Sequence, residues 1–213
     1  MIAKLIPIIF LVAGIFILIQ IALPIINFKL WEFSNIEEED ILVSPVSETS
    51  KILGVSIQNT KDNFPAFISS AKRDFMPYSQ FLLSIPGLGI EEAKVFVDSN
   101  EFNSGLAHLP GVALPGEKGN VFISGHSAIP IAYNGNENYG AIFAKLNKLE
   151  KGDIIKVSAG GEFTYKVLGI KVVDPKDTSV ILPPDGVGRY ISLMTCVPPG
   201  LNTKRLVVIG KML

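Results

Sequence analysis

An apolar run near the amino terminus restricts this chain more than any other feature. Residues 2–28 contain one charge, Lys4, and two further polar residues, Gln20 and Asn27. About 20 apolar residues cross the hydrocarbon core of a bilayer. The apolar region of a secretory signal is only about 7 to 15 residues long and precedes a small-residue cleavage site. Because the run is longer than that and lacks an Ala-x-Ala sequence, we predict an uncleaved transmembrane helix.

Charges on the two sides of this run predict its orientation. Lys4 and the α-amino group lie on the short side, whereas the acidic run 37–40 lies on the far side. Positive charge favours the cytoplasmic side of a membrane. We therefore expect a single-pass protein of the cell membrane with a cytoplasmic amino terminus and an extracellular domain.

The composition changes twice after the apolar run. Residues 32–50 are acidic and rich in serine, which is typical of a linker. Residues 51–78 fit either a peripheral helix or an irregular segment, since Pro65 and Pro77 argue against one long helix. The predicted regions are a transmembrane anchor (1–30), a linker with a peripheral segment (31–78) and a folded domain (79–213).

The folded domain has the pattern of an all-β protein. Short apolar and β-branched runs alternate with Gly, Pro, Asn and Asp, as in a barrel or sandwich. The connection 98–110 is rich in turn-forming residues. The segment 139–149 has apolar residues at helical spacing, which predicts one short helix. The candidate strands are residues 81–85, 94–98, 120–124, 153–158, 162–173, 190–195 and 205–211.

Composition and local motifs argue against several classes of function. The net charge of −1 does not indicate a nucleic-acid partner. A single cysteine cannot form an internal disulfide. The sequence has no phosphate-binding Walker loop, no dinucleotide fingerprint and no G-x-S-x-G element. A metal centre needs three or four ligands, and one cysteine with two histidines barely supplies them, with no recurring ligand spacing.

The single cysteine, Cys196, ends one strand-like run, and Arg205 opens the next. Pro198, Pro199 and Gly200 form a turn between them, so a hairpin brings Cys196 and Arg205 together. A guanidinium beside a thiol favours the thiolate and can stabilise an oxyanion. The residues alone also allow a simpler interpretation, in which Cys196 is a small buried apolar residue and Arg205 is solvated.

The two histidines differ in their surroundings. His126 follows a strand-like run, as Cys196 does, and the two lie 70 residues apart. A cysteine with a distant histidine is a candidate nucleophile pair, although the sequence alone does not unite them. His108 lies in the turn-rich connection, and we expect it to be structural or solvated.

Three blocks together resemble the sortases, a family of membrane-anchored cysteine transpeptidases. Residues 192–196, Ser-Leu-Met-Thr-Cys, resemble the Thr-Leu-x-Thr-Cys strand of that family, and Arg205 falls where the family places its essential arginine. Residues 114–126 resemble the stretch that leads to the catalytic histidine, here His126. Residues 84–90, SIPGLGI, resemble the first strand region. The resemblance covers residues 81–213.

The resemblance implies a fold and a reaction. The fold is a closed eight-stranded sortase-type β-barrel with one or two short helices, preceded by the transmembrane helix. In the reaction, Cys196 attacks the threonine carbonyl of a Leu-Pro-x-Thr-Gly sorting signal, and an amine of a cell-wall precursor or a pilin lysine resolves the thioacyl intermediate. His126 acts as acid and then base, and Arg205 stabilises the oxyanion. No cofactor is implied.

Calcium and the subclass of the family stay open at this point. Some sortases bind calcium through loop carboxylates, for which Asp174, Asp177 and Glu117 are candidates, but solvated loop charges are the favoured interpretation. The segment after Cys196 resembles the corresponding loop of pilin-polymerising sortases. Those enzymes usually carry an Asp-Pro-aromatic lid ahead of the barrel, to which residues 74–78 are only loosely similar.

Two alternative functions also remain open from the sequence. One is a thiol hydrolase that uses the same three residues. The other is a non-catalytic, membrane-anchored extracellular β-domain that binds a surface partner.

Overall fold

The computed structural model describes residues 2–35, 55–59, 65–102, 104–128, 139–201 and 203–213. Within these ranges it has one long helix, α1 (Ile2–Asn35), and ten strands. The strands are β1 (Val55–Asn59), β2 (Pro65–Ser69), β3 (Gln80–Ile85), β4 (Ile90–Phe96), β5 (Leu106–His108), β6 (Gly119–Ser124), β7 (Ile154–Ser158), β8 (Glu162–Val173), β9 (Arg189–Val197) and β10 (Lys204–Met212).

Eight of these strands, β3 to β10, form a closed barrel in the order β10-β8-β7-β3-β4-β5-β6-β9. The β4–β5 and β6–β9 pairs are parallel, and the others are antiparallel. Closure leaves no barrel strand with an unpaired edge. Alternate residues of each strand face inward, so that Phe81, Leu83 and Ile85 of β3 are all buried in the core. The predicted eight-stranded barrel is confirmed.

Helix α1 contains a candidate membrane span, Pro7–Ser34, which is long and apolar enough to cross a bilayer. At about 1.5 Å per residue, the 34 residues of α1 exceed the roughly 30 Å hydrocarbon thickness. The helix is therefore longer than the hydrocarbon core is thick. Its last turns pack against the barrel. Phe28 is buried in the barrel's core cluster, and Glu32 pairs with Lys204 at 2.7 Å. The helix indicates membrane anchoring, whereas its orientation stays a prediction.

In the described part of the segment 51–78, residues 55–59 and 65–78, the structure has strands β1 and β2. They pair antiparallel, with Pro65 opposite Asn59. Pro65 is the first residue of its strand, a position that tolerates the missing N–H. The predicted linker beyond Asn35 and up to residue 50 lies outside the described residues, and the three-region division of the chain stays a prediction.

Two other local predictions need correction. Strand β5 was missed, because its three residues lie inside the turn-rich connection 98–110. The segment 139–149 buries its apolar residues as predicted, but it forms turns and a 3₁₀ helix, Leu146–Lys148, instead of an α-helix. Successive i+3→i hydrogen bonds, such as Leu146 N–H to the Phe143 carbonyl at 3.1 Å, tighten the segment into that form.

One strand begins earlier than its sequence indicates. The candidate strand 94–98 is β4, Ile90–Phe96. Its first residues include the exposed Glu91 and Glu92, which interrupt the apolar pattern. Glu92 also has a positive φ of 48°, an uncommon strand conformation that sequence patterns do not signal.

Candidate active site

Cys196 and Arg205 are direct partners in the antiparallel register of β9 and β10. Their side chains therefore project on the same face of the sheet. Both are buried: Cys196 is 1% exposed and Arg205 is 0% exposed. The predicted hairpin is confirmed, whereas the alternative of a solvated Arg205 is wrong.

His126 comes to the same end of the barrel through the parallel pairing of β6 with β9. Ser124 pairs with Met194, and the same 70-residue offset relates His126 to Cys196. Beyond the last ladder pair, Gly125 N–H donates to the Met194 carbonyl at 3.1 Å. The chain at His126 thus continues beside the end of β9, and the imidazole is half-buried.

The residues on both sides of His126 bond to the segment that carries Cys196. The Thr195 hydroxyl donates to the Gly125 carbonyl at 2.8 Å, and the Ser127 hydroxyl donates to the Cys196 carbonyl. Gly125 must be glycine, because a Cβ there would come within 2.5 Å of Leu106 and 2.7 Å of Phe143. These contacts fix the main chain of His126 relative to Cys196.

A small apolar cluster covers the thiol. Phe102 and Ala107 pack with Cys196, and Ile68 of β2 packs against this cluster. The Phe102 ring also meets the His126 ring edge-on, with 5.7 Å between centroids. Phe102 is 4% exposed. The described conformation is therefore closed over the thiol and the imidazole.

Burial and charge act in opposite directions on the thiol. Burial raises the pKa of Cys196 to about 11, and the neighbouring Arg205 cation lowers it in part. Burial lowers the pKa of Arg205, whereas Cys196 and Asp174 raise it. In this closed conformation the thiol is neutral at pH 7, so forming the thiolate requires that water, substrate or a base reach it.

The chain matches the model of the Sortase domain over residues 83–213. The chain belongs to the sortase family. The matched region begins in β3 and includes every later strand of the barrel, with Cys196, His126 and Arg205 inside it.

The chain is also similar to individual sortases. Sortase D of Bacillus subtilis (strain 168) is 31% identical over 135 residues, which cover 61% of this chain and 62% of that protein. Among solved structures, sortase A of Corynebacterium diphtheriae matches with a TM-score of 0.56 and 27% identity, covering 75% of this chain and 76% of that one. The Sortase D5 transpeptidase of Clostridium perfringens matches with a TM-score of 0.52 and 26% identity, covering 63% of this chain and 79% of that one.

The other histidine of this sortase, His108, is a structural residue. It is fully buried, and its Nε2 lies 2.9 Å from the Ala113 carbonyl. Its Nδ1 lies 3.3 Å from the main-chain N–H nitrogen of Asp98, which donates to it. Ala107 faces Cys196, and adjacent strand residues point to opposite faces, so the structure does not bring His108 to the thiol.

Each of the three carboxylates considered as calcium ligands accepts a hydrogen bond from a main-chain N–H of its own loop. Glu117 accepts from Leu114 N–H at 2.7 Å, Asp174 from Lys176 N–H at 2.8 Å and Asp177 from Ser179 N–H at 3.0 Å. In the part of the chain that the structure describes, no group of three or more His, Cys, Asp or Glu residues is placed to hold a metal. The calcium expectation stays a prediction from the resemblance.

The segment similar to a lid, residues 74–78, does not plug the site. Phe75 is 75% exposed, and Tyr78 packs edge-on against Phe81 at 6.3 Å. The residues that cover the thiol, above all Phe102, carried no signal in the sequence.

Proposed function

We propose that this sortase is a cysteine transpeptidase in which Cys196 is the nucleophile, His126 the acid and base, and Arg205 the oxyanion partner. The observation that carries the proposal is the direct register pairing of Cys196 with Arg205 at the strand end beside His126. A buried cation opposite the only thiol is the arrangement that a reaction through a tetrahedral oxyanion requires.

The first half-reaction forms a thioester. The Cys196 thiol gives its proton to His126, its sulfur attacks the carbonyl carbon of the scissile peptide bond, and the carbonyl oxygen gains negative charge beside the Arg205 guanidinium. The carbon–nitrogen bond then breaks. His126 gives a proton to the departing amine, and the acyl group stays on the sulfur.

The second half-reaction transfers that acyl group. An incoming amine attacks the thioester carbonyl, and His126 takes the amine's proton. The carbon–sulfur bond breaks, a new amide forms, and the Cys196 thiolate that leaves takes back from His126 the proton of the amine. Atoms and charge balance with no cofactor, and no step involves calcium.

The substrates follow from the family resemblance of the catalytic blocks. We propose that the acyl donor is a Leu-Pro-x-Thr-Gly-like sorting signal of a surface protein, cleaved between threonine and glycine. The acceptor is an amine on a cell-wall precursor or a pilin lysine. We propose that helix α1 anchors the enzyme in the cell membrane with its barrel outside, and removal of the barrel by protease added to intact cells tests that orientation.

The test is cleavage of a Leu-Pro-x-Thr-Gly peptide, with and without an added amine, by the wild type and by Cys196→Ala and His126→Ala. We expect wild-type cleavage, an amide product when amine is present, and no activity in either variant. Cleavage that is indifferent to the amine and yields only the free acid would indicate a thiol hydrolase. Failure of the wild type to react with either peptide or a thiol probe would indicate a non-catalytic domain.

A further inference from the structure

We propose that Ser127 is a positioning residue, whose hydroxyl holds the Cys196 peptide in register with His126. The inference rests on the proposed function, because it assigns Ser127 a part in that reaction. Ser127 lies immediately after His126, outside the sequence blocks that resemble the family, and it makes no assigned contact with substrate.

The contacts of Ser127 link the histidine segment to the connection between Cys196 and Arg205. Its hydroxyl donates to the main-chain carbonyl of Cys196. Its own carbonyl accepts from Gly200 N–H at 2.9 Å. The first bond holds the end of β9, and the second holds the turn that leads to β10. One residue therefore contacts both the strand that carries the thiol and the turn that leads to the strand of the guanidinium.

Ser127 completes a pair of ties around His126. On the amino-terminal side, Thr195 bonds to Gly125; on the carboxyl-terminal side, Ser127 bonds to Cys196. The parallel β6–β9 ladder ends at Ser124 and Met194, so these side-chain bonds continue the alignment where the ladder stops. Without the Ser127 hydroxyl, a side-chain bond to the Cys196 segment remains only on the amino-terminal side of His126, and the carboxyl-terminal side keeps only the main-chain bond to Gly200.

The hydrogen bond from the Ser127 hydroxyl to the Cys196 carbonyl is buried, so its loss should disturb the local structure. Ser127 is 7% exposed and Cys196 is 1% exposed, so water does not readily replace the lost donor. A buried carbonyl that loses its partner bears a desolvation penalty, which the local chain relieves by moving. A shift of about 1 Å in a reacting group can cost about 10²-fold in rate.

The experiment compares Ser127→Ala with Ser127→Thr and Ser127→Val, which are nearly equal in shape and differ in the hydroxyl. Ser124→Ala is the matched control, because Ser124 is 4% exposed, lies on β6 and has no place in the proposed site. For each variant we measure kcat and KM on the sorting peptide, the pH profile of Cys196 alkylation by iodoacetamide, and Tm.

We expect Ser127→Ala and Ser127→Val to lower kcat about tenfold, the effect of about one ordinary hydrogen bond, with KM within about twofold. We expect Ser127→Thr to retain most of the activity, and Ser124→Ala to match the wild type. The pH profile of Cys196 alkylation should shift in Ser127→Ala and Ser127→Val, because the surroundings of the thiol change when the hydroxyl is lost. It should stay unchanged in Ser127→Thr.

Equal kcat and equal alkylation profiles in Ser127→Thr and Ser127→Val would overturn the proposal. If Ser127→Ala does not fold, the comparison of Ser127→Thr with Ser127→Val still tests the proposal. If the wild type cleaves no sorting peptide, the proposed function fails. The alkylation profiles then report separately whether Ser127 positions the thiol.

Discussion

Cys196 and Arg205 face each other across the β9–β10 register, and both side chains are buried at the strand ends that lie beside His126. A buried guanidinium next to a buried thiol has two effects. It offsets part of the penalty that burial places on the thiolate, and it supplies the positive charge that a developing oxyanion needs.

Replacement of Arg205 separates its charge from its geometry. We expect Arg205→Ala to lower kcat/KM by about 10²–10³, the usual cost of losing an oxyanion donor. Arg205→Lys keeps the charge but loses the planar fork, so its activity should lie between those of Arg205→Ala and the wild type. Because Arg205 is fully buried, a melting curve must accompany each assay. Equal activity of all three folded proteins would contradict the assigned role.

The reactivity of Cys196 should depend on pH in a defined direction. Burial raises the thiol pKa to about 11, with Arg205 lowering it in part. Since only the thiolate reacts with iodoacetamide, the alkylation rate of the resting enzyme should keep rising above pH 9. Arg205→Ala loses the lowering influence, so at pH 8 it should be alkylated more slowly than the wild type. A wild-type rate that levels off near pH 8 would show that the resting thiol is not in the closed environment.

Phe102 should control access to the thiol. Phe102→Ala removes the ring that covers Cys196 and contacts His126, and we expect it to speed alkylation about tenfold or more, a barrier change of roughly 1.4 kcal/mol. Phe75→Ala is the control, because Phe75 is largely exposed and belongs to the lid-like segment. Faster alkylation in Phe75→Ala with no change in Phe102→Ala would show that Phe75, and not Phe102, limits access to the thiol.

The two histidines should respond to alanine in opposite ways. His126→Ala should abolish activity and change Tm little, because His126 is half-buried at a strand end. His108→Ala should lower Tm, because it empties a fully buried position and frees the Ala113 carbonyl. Its kcat below the new Tm should stay within a few-fold of wild type. An inactive, stable His108→Ala beside an active His126→Ala would reverse the assignment.

The sequence predicts the local parts of this structure well. Strand runs, and the turn that joins Cys196 to Arg205, lie within about twenty consecutive residues, so their pairing follows from the pattern of apolar and turn-forming residues. The closed barrel and the role of His126 were predicted from the resemblance to the sortase sequence blocks. From spacing alone, His126 could not be joined to Cys196, because their alignment comes from a parallel pairing across 70 residues.

The parts that sequence reasoning missed arise from long-range packing. Arg205 appeared as a possible solvated residue, yet the closed barrel buries it. Phe102 lies in a turn-rich connection, and only the folded chain places it over Cys196. Ser127 is a small polar residue with no motif of its own, and its contacts exist because β6 and β9 end side by side. None of these arrangements leaves a periodic signal in the sequence.

The most direct test of the account is the mass of the enzyme quenched with acid during turnover of a Leu-Pro-x-Thr-Gly peptide. We predict an added mass equal to the peptide acid through its threonine less one water, located on Cys196 and removed by hydroxylamine, as expected for a thioester. The adduct should disappear when a good amine acceptor is added, and it should be absent from Cys196→Ala. Peptide cleavage by Cys196→Ala at the wild-type rate, or wild-type turnover with an adduct on another residue, would contradict the proposed mechanism.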